Sequence, residues 1–173
     1  WHPARGSDYK NFWTNMSQTP EDAVMATSGA MVPTEERVES CRYIARHIIE
    51  SLKIDKTSAV LEVGCGIGVF AHLVGPQCGK YTGVDISPNM VELAREFSKD
   101  SGGDLDFAVL KRSDLALFDD ATFDGVFFES VLMHVAPEDA FNYLCEAHRV
   151  LKPGGRVYAT FQNLRNPLGF KHF

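Results

Sequence analysis

An apolar run at residues 58–63 passes directly into Gly64-Cys65-Gly66-Ile67-Gly68 and then into a helical pattern at 69–74. Strand, glycine-rich turn and helix in that order constrain this fold more than any other feature of the chain. Glycine is needed where a backbone turns sharply, and where a ligand approaches too closely for a Cβ. Three alternating glycines exceed what a turn alone requires, so a ligand is expected against this loop.

The alternation continues downstream. Residues 81–84 read as a second strand, and 88–98 as a helix with Ser87 at its N-cap and Pro88 at its first position. A third strand is predicted at 105–110 and a fourth at 125–128. A helix at 137–151 is closed by Lys152-Pro153-Gly154-Gly155, and a fifth strand follows at 156–161. Upstream, Thr34 can cap a helix whose first turn holds Glu35 and Glu36, with Val38, Cys41, Ile44, Ile48 and Leu52 at helical spacing. Strands and helices taking turns imply right-handed βαβ units. The expected class is therefore α/β: a doubly wound, mainly parallel sheet with helices on both faces and ligands at the carboxyl ends of the strands. Residues 1–33 have no clean period and cluster Tyr9, Phe12 and Trp13, which suits an arm or lid ahead of a domain at 34–173.

With 173 residues, 45% of them hydrophobic, the chain has the size of one globular domain. Its 17 basic residues are scattered among 23 acidic ones for a net charge of -6, which excludes nucleic acid as the main partner. Cys41, Cys65, Cys78 and Cys145 form no C-x-x-C pair and no zinc spacing with histidine. No metal is expected, and reduced cysteines point to the cytoplasm. No apolar stretch approaches the roughly 20 residues that span a bilayer, so no membrane insertion is expected.

The spacing of the loop discriminates between ligands. A dinucleotide fingerprint would place its third glycine at position 69, where Val69 stands, and there is no G-K-[ST] to hold a triphosphate. About twenty residues further on, Gly83-Val84-Asp85-Ile86-Ser87 ends the second strand, where a carboxylate can accept from both hydroxyls of a ribose. Ser113-Asp114-Leu115, after the third strand, adds an acid suited to an exocyclic adenine amine, with Ile86 and Leu115 placed to sandwich the ring. An adenosine without phosphates fits this set.

These motifs resemble the class I S-adenosylmethionine-dependent methyltransferases. The resemblance rests on Leu61-Glu62-Val63-Gly64-Cys65-Gly66-Ile67-Gly68, Val84-Asp85-Ile86-Ser87-Pro88-Asn89-Met90, Ser113-Asp114-Leu115, Phe123-Asp124-Gly125-Val126 and Leu151-Lys152-Pro153-Gly154-Gly155, in the family's order. It implies that Gly64, Cys65, Gly66 and Gly68 pass under the methionine part of S-adenosyl-L-methionine. It further implies that Glu62 orients the cofactor's ammonium directly or through water, Asp85 holds the ribose, and Asp114 reads adenine. The implied reaction is direct in-line displacement, which leaves S-adenosyl-L-homocysteine and asks the protein mainly to position, desolvate and, where needed, deprotonate the acceptor.

Each residue also has a plainer reading. Asp85 could be a helix cap, but Ser87 already serves that role. Glu62 ends an apolar strand, where an unpaired carboxylate is costly to bury. Cys65 has no basic neighbour in sequence to lower its pKa and reads as a small space-filler. Glu129 and His134 follow the fourth strand, where the family places methyl transfer. Glu129 would face the methionine end or the acceptor, and His134 is a candidate general base, although a histidine after an apolar run is commonly a packed or capping residue. Tyr9, Phe12 and Trp13 are either a satellite cluster or a lid that keeps water from a cationic centre.

By the resemblance, a helix and an antiparallel strand pair should follow the fifth strand. The twelve residues at 162–173 are too few for them. A shortened sheet is expected, its fifth strand covered by the N-terminal arm or by a second copy in a homodimer. A small-molecule acceptor is expected, with oxygen, nitrogen or carbon as nucleophile, because no surface suits a nucleic acid and no added domain grips a protein. Two alternatives stand beside this reading: a non-catalytic cofactor-binding module or partner subunit, and a short nicotinamide oxidoreductase, which Val69 and the lack of a Tyr-x-x-x-Lys pair disfavour.

Overall fold

A computed structural model describes residues 9–28 and 35–161. In chain order the elements are α1 (Tyr9–Asn15), α2 (Pro20–Ser28), α3 (Glu35–Leu52), β1 (Ala59–Val63), α4 (Val69–Val74), β2 (Lys80–Asp85), α5 (Pro88–Ser98), β3 (Leu105–Val109), β4 (Phe123–Phe128), α6 (Pro137–Val150) and β5 (Leu151–Ala159). The strands lie in the order β3-β2-β1-β4-β5, and every pairing is parallel. The chain leaves β1 in one direction for β2 and β3, and returns on its other side for β4 and β5. That reversal opens a crevice at the carboxyl ends of β1 and β4.

Alternation along the strands sends successive side chains to opposite faces. Val60, Tyr81, Phe107 and Phe127 meet Ile48 and Leu52 of α3, Val74 of α4 and Val91 of α5 on one face. Leu61, Val63, Val84, Val126 and Phe128 meet Tyr143, Ala147 and Val150 of α6 on the other. The doubly wound α/β architecture follows from these two cores. At the head of α5 the Met90 N–H donates to Ser87 Oγ at 3.4 Å, and Pro88 occupies the first turn as its fixed φ favours.

The fifth strand departs from expectation. It starts at Leu151 directly after α6 instead of at residue 156, and Lys152-Pro153-Gly154-Gly155 lies within it. Phe123 pairs with Leu151 and Gly125 with Arg156, so β5 bulges between these registers. Lys152 Nζ holds the bulge to the sheet, reaching Asp124 Oδ2 at 2.8 Å, and Gly154 within it takes a left-handed φ of 85°. The same Asp124 oxygen accepts from the Ala59 N–H at 2.8 Å, which ties β4 to the start of β1.

The N-terminal arm forms two helices that its sequence did not announce. The Asn89 side-chain amide donates to the Ser17 carbonyl at 3.0 Å, the Ser17 and Ser87 hydroxyls bond at 3.0 Å, and the Ala136 N–H donates to the Tyr9 hydroxyl. These bonds run to the heads of α5 and α6, at the carboxyl end of the sheet. The described part of the arm, residues 9–28, is thus strapped over the crevice and not along β5 as one expectation had it, because its polar groups find partners at those helix heads. The expectation of a missing strand pair falls on residues 162–173, outside the described residues. No described helix is long and apolar enough to cross a membrane.

Candidate functional site

The glycine loop is held by β2. The Gly64 and Cys65 N–H groups donate to the Val84 carbonyl at 2.7 and 3.0 Å. Asp85 closes the arrangement: its Oδ2 accepts from the Gly66 N–H at 3.0 Å and its Oδ1 from the Ser87 N–H at 2.9 Å. One carboxylate therefore fixes both the loop and the start of α5.

Gly64, Gly66 and Gly68 all have left-handed backbones, with φ of 79°, 50° and 84°. Their surroundings differ. A Cβ on Gly64 would lie 2.3 Å from Val131 Cγ2, and one on Gly66 would lie 3.1 Å from Thr27 Cγ2 of α2. A Cβ on Gly68 would meet Ser98 Oγ at 2.8 Å and Ala94 Cα at 3.0 Å. Gly68 thus serves the close packing of α4 on α5 and, contrary to expectation, is not on the cavity wall. Gly68→Ala is expected to cost about 2–3 kcal/mol from backbone strain and the Ala94 contact, lowering Tm by roughly 4–12 °C in a thermal melt.

Above the loop lies a cavity of about 790 Å³. Glu62, Gly64, Cys65, Gly66, Asp85 and Ile86 line it from β1 and β2, and Glu129, Ser130 and His134 from the segment after β4. Tyr9 and Trp13 of α1 and Thr27 of α2 close it from the arm. The Trp13 ring stands edge-on to His134 at 5.4 Å, with Phe12 packed against Trp13 at 5.2 Å. Phe12 supports the wall from behind without lining it.

The electrostatics are dominated by carboxylates. Glu62 and Asp85 are buried, 2% and 8% exposed, and Glu129 is half-buried. Burial holds the Glu62 carboxyl well above the usual carboxylate range, and the neighbouring Asp85 and Glu129 raise it further. Asp85 is also raised by burial, against the pull of the Ser87, Gly66 and Ile86 backbone N–H groups. Glu129 is raised by burial, partly offset by the Ser130 and Thr160 side chains. Its Oε1 accepts from Ser130 Oγ at 3.1 Å, while its Oε2 is buried without a hydrogen-bond partner among the described residues. Ser130 holds a left-handed φ of 58°, an uncommon backbone for a non-glycine residue and one that clusters at functional sites. Among the described residues on the wall, Arg42 is the lysine or arginine present, and it is exposed and paired with Glu39 at 3.6 Å. The interior therefore favours a cationic guest. Burial keeps Cys65 a neutral thiol, with its pKa pushed well up, first by desolvation and then by Asp85 and Glu62.

Asp114 and Leu115 are not brought to the wall. Asp114 pairs with Arg112 at 3.3 Å and accepts from the Ala116 N–H at 3.4 Å, and Leu115 is fully buried in the α6-side core. Their neighbours Leu110 and Ser113 line the cavity instead. The segment after β3 is bent and not extended, so the core takes Leu115 while Ser113 lines the opening, a placement invisible in the motif itself. Sequence reasoning also missed Thr27, Met90, Tyr143 and Tyr81. The first three reach the wall only through tertiary packing, and Tyr81, fully buried on β2, donates its hydroxyl hydrogen to Glu62 Oε2.

A family model described as a methyltransferase domain matches residues 61–159. The ubiquinone biosynthesis O-methyltransferase of Xanthomonas axonopodis pv. citri (strain 306) is 31% identical over 132 residues, covering 72% of this chain and 54% of that one. The chain thus spans about half the length of the curated relatives it matches. Among solved structures, a Pyrococcus horikoshii OT3 protein has a TM-score of 0.65 at 30% identity, over 80% of this chain and 60% of that one. Haemonchus contortus phosphoethanolamine N-methyltransferase 1, solved with phosphoethanolamine and S-adenosylhomocysteine, has a TM-score of 0.74 at 19% identity, over 90% of this chain and 32% of that one, and attests the fold alone. With the family model spanning β1 to β5 and the motif series in order on a five-stranded parallel sheet, this chain belongs to the methyltransferase-domain family, the class I S-adenosylmethionine-dependent methyltransferases that its sequence resembles.

Proposed function

We propose that this chain binds S-adenosyl-L-methionine in the cavity above the glycine loop and transfers its methyl group to a small-molecule acceptor. The observation that carries this reading is the set of three carboxylates, Glu62, Asp85 and Glu129, gathered in a largely apolar cavity beside a loop whose glycines hold left-handed backbones. Buried acids with no lysine or arginine inside the cavity among the described residues call for a cationic guest that also offers hydroxyl donors. The cofactor's sulfonium, ammonium and ribose supply these, and Glu129 Oε2, without a partner among the described residues, marks where a donor is wanted.

The bound cofactor supplies an electrophilic methyl on a good leaving group, so the chain's own residues are left with binding, orientation and proton handling. Glu62 receives the ammonium. Asp85, already holding the loop and α5 through its inward lone pairs, has further lone pairs for ribose hydroxyls. Ile86, Leu110 and Ser113 line the adenine side. Tyr9 and Trp13 shield the reacting centre from water, which strengthens every charge interaction inside. Glu129 and His134 face the acceptor from the segment after β4, and either group can accept its proton. The relatives named as O-methyltransferases favour an oxygen nucleophile. Four cysteines in no disulfide among the described residues, two of them buried, support a cytoplasmic, reducing setting.

The test is calorimetric titration of the chain with S-adenosylmethionine and S-adenosylhomocysteine, with NADH as control, followed by methyl transfer from labelled cofactor to a panel of phenols and amines. Micromolar binding of the first two and not of NADH is expected. A folded chain that binds neither overturns the reading. The raised carboxyl groups add a pH dependence with a definite sign. A cationic guest favours their ionised forms, so binding releases protons, and affinity falls as the medium is acidified through the raised pKa values. Titration in two buffers of different ionisation enthalpy should show this release as a buffer-dependent heat.

A further inference from the structure

Glu62 owes its orientation to a residue that no motif contains. Glu62 on β1 pairs across the sheet with Gly83 on β2, and Val60 pairs with Tyr81. Gly83 has no side chain, and a Cβ there would meet Phe107 Cδ1 at 2.8 Å and Cys65 Cβ at 3.1 Å. The next side chain of β2 on the same face is Tyr81, whose hydroxyl donates to Glu62 Oε2. Tyr81 is fully buried, its ring set against Phe107 at 6.3 Å and Phe127 at 6.4 Å. Packed on both sides, the ring cannot carry its hydroxyl away from the carboxylate.

We propose that Tyr81 is a positioning residue for cofactor binding: its hydroxyl fixes one oxygen of Glu62 so that the other meets the ammonium of the bound cofactor. This rests on the reading of the cavity above. The groups that face Glu62 are Tyr81 and Asp85 of β2, Glu129 after β4, and the thiol of Cys65. Of these, Tyr81 donates to Glu62 while the Cys65 thiol turns to the Gly66 carbonyl at 3.8 Å, and the carboxylates both oppose a negative charge on Glu62. The tyrosine hydrogen bond pre-orients Glu62, and as a donor to its carboxylate it opposes the burial and like charges that disfavour ionisation there. It also adds a device for specificity, since a ligand lacking an ammonium would leave a stabilised, buried carboxylate unpaired.

Tyr81→Phe tests this, because it removes one oxygen and leaves the packed ring in place. S-Adenosylhomocysteine binding, measured by calorimetry across pH, is expected to weaken about tenfold in the variant, with its pH midpoint displaced upward, while a thermal melt shows a folded domain. A truncated analogue, 5′-methylthioadenosine, which lacks the amino-acid end, should bind both proteins alike. In a Glu62→Gln background the same substitution should have little further effect, as the two residues act as a unit. Wild-type-like affinity and pH profile for Tyr81→Phe would overturn the assignment, as would an equal loss for 5′-methylthioadenosine or an undiminished loss in the Glu62→Gln background. A wild-type chain that fails to bind S-adenosylhomocysteine overturns the cofactor reading itself, and the assignment with it.

Discussion

Asp85→Ala is expected to lower the affinity for S-adenosylmethionine and its product by at least about a hundredfold, the sum of two charge-assisted hydrogen bonds at roughly 1.5–3 kcal/mol each. The structure adds a second effect. Asp85 accepts from the Gly66 and Ser87 N–H groups, so the alanine variant leaves both without that acceptor and frees the loop from the head of α5. Burial of the acid offsets part of this contribution, as its raised pKa indicates. A net destabilisation of about 2 kcal/mol is expected, or roughly 4–8 °C in Tm. Asp85→Asn separates the two roles. It keeps one acceptor oxygen and turns an NH₂ group toward the other N–H, so the loop is partly held while the charge is lost. Binding of S-adenosylhomocysteine by the alanine variant within threefold of wild type would remove Asp85 from the site.

Glu62→Gln should move stability and binding in opposite directions. The carboxyl is raised well above its ordinary range by burial, with Asp85 and Glu129 adding to it. A carboxyl with a raised folded-state pKa holds its proton more tightly in the folded protein than in the unfolded chain. It therefore leaves stability intact below the unfolded value, and stability declines as pH climbs from there through the raised value. Glutamine cannot ionise and can still accept from Tyr81. The variant without cofactor is expected to melt above wild type at neutral and mildly alkaline pH and equally with it near pH 4. Its affinity for S-adenosylhomocysteine should fall roughly 10- to 100-fold, the value of one hydrogen bond to a charged group. Such an exchange of stability for binding is common where an active site gathers like charges. An unchanged melting profile at neutral pH would show that Glu62 is not held ionised against its surroundings.

Local chemistry made much of this legible. Ser87 and Pro88 announce the head of α5 because a hydroxyl acceptor and a fixed φ have one sensible place in a helix. Asp85 is legible because a carboxylate at the end of β2 in a doubly wound sheet has few other uses. The start of β5 was not legible: Lys152-Pro153-Gly154-Gly155 carries every sign of a turn, and only its pairing with β4 through Lys152 and Asp124 draws it into the sheet. Gly68 looks in sequence like its two neighbours, yet Ala94 and Ser98, far along the chain, claim its empty side. Asp114 and Leu115 carry a recognisable motif, and the core took Leu115 for packing.

The amino-acid sequence by itself determined the order of strands and helices, the parallel doubly wound class, the glycine loop and the carboxylates at the ends of β1 and β2. Periodicity, capping and backbone freedom act over a few residues, so they can be read from a few residues. The tertiary structure alone decided that the arm straps Tyr9, Trp13 and Thr27 over the cavity, that Glu129 arrives beside Glu62 and Asp85, and that Tyr81 reaches back across the sheet to Glu62. Those relations join residues distant in the chain through strand register and packing, and neither is specified until the two cores close on the sheet.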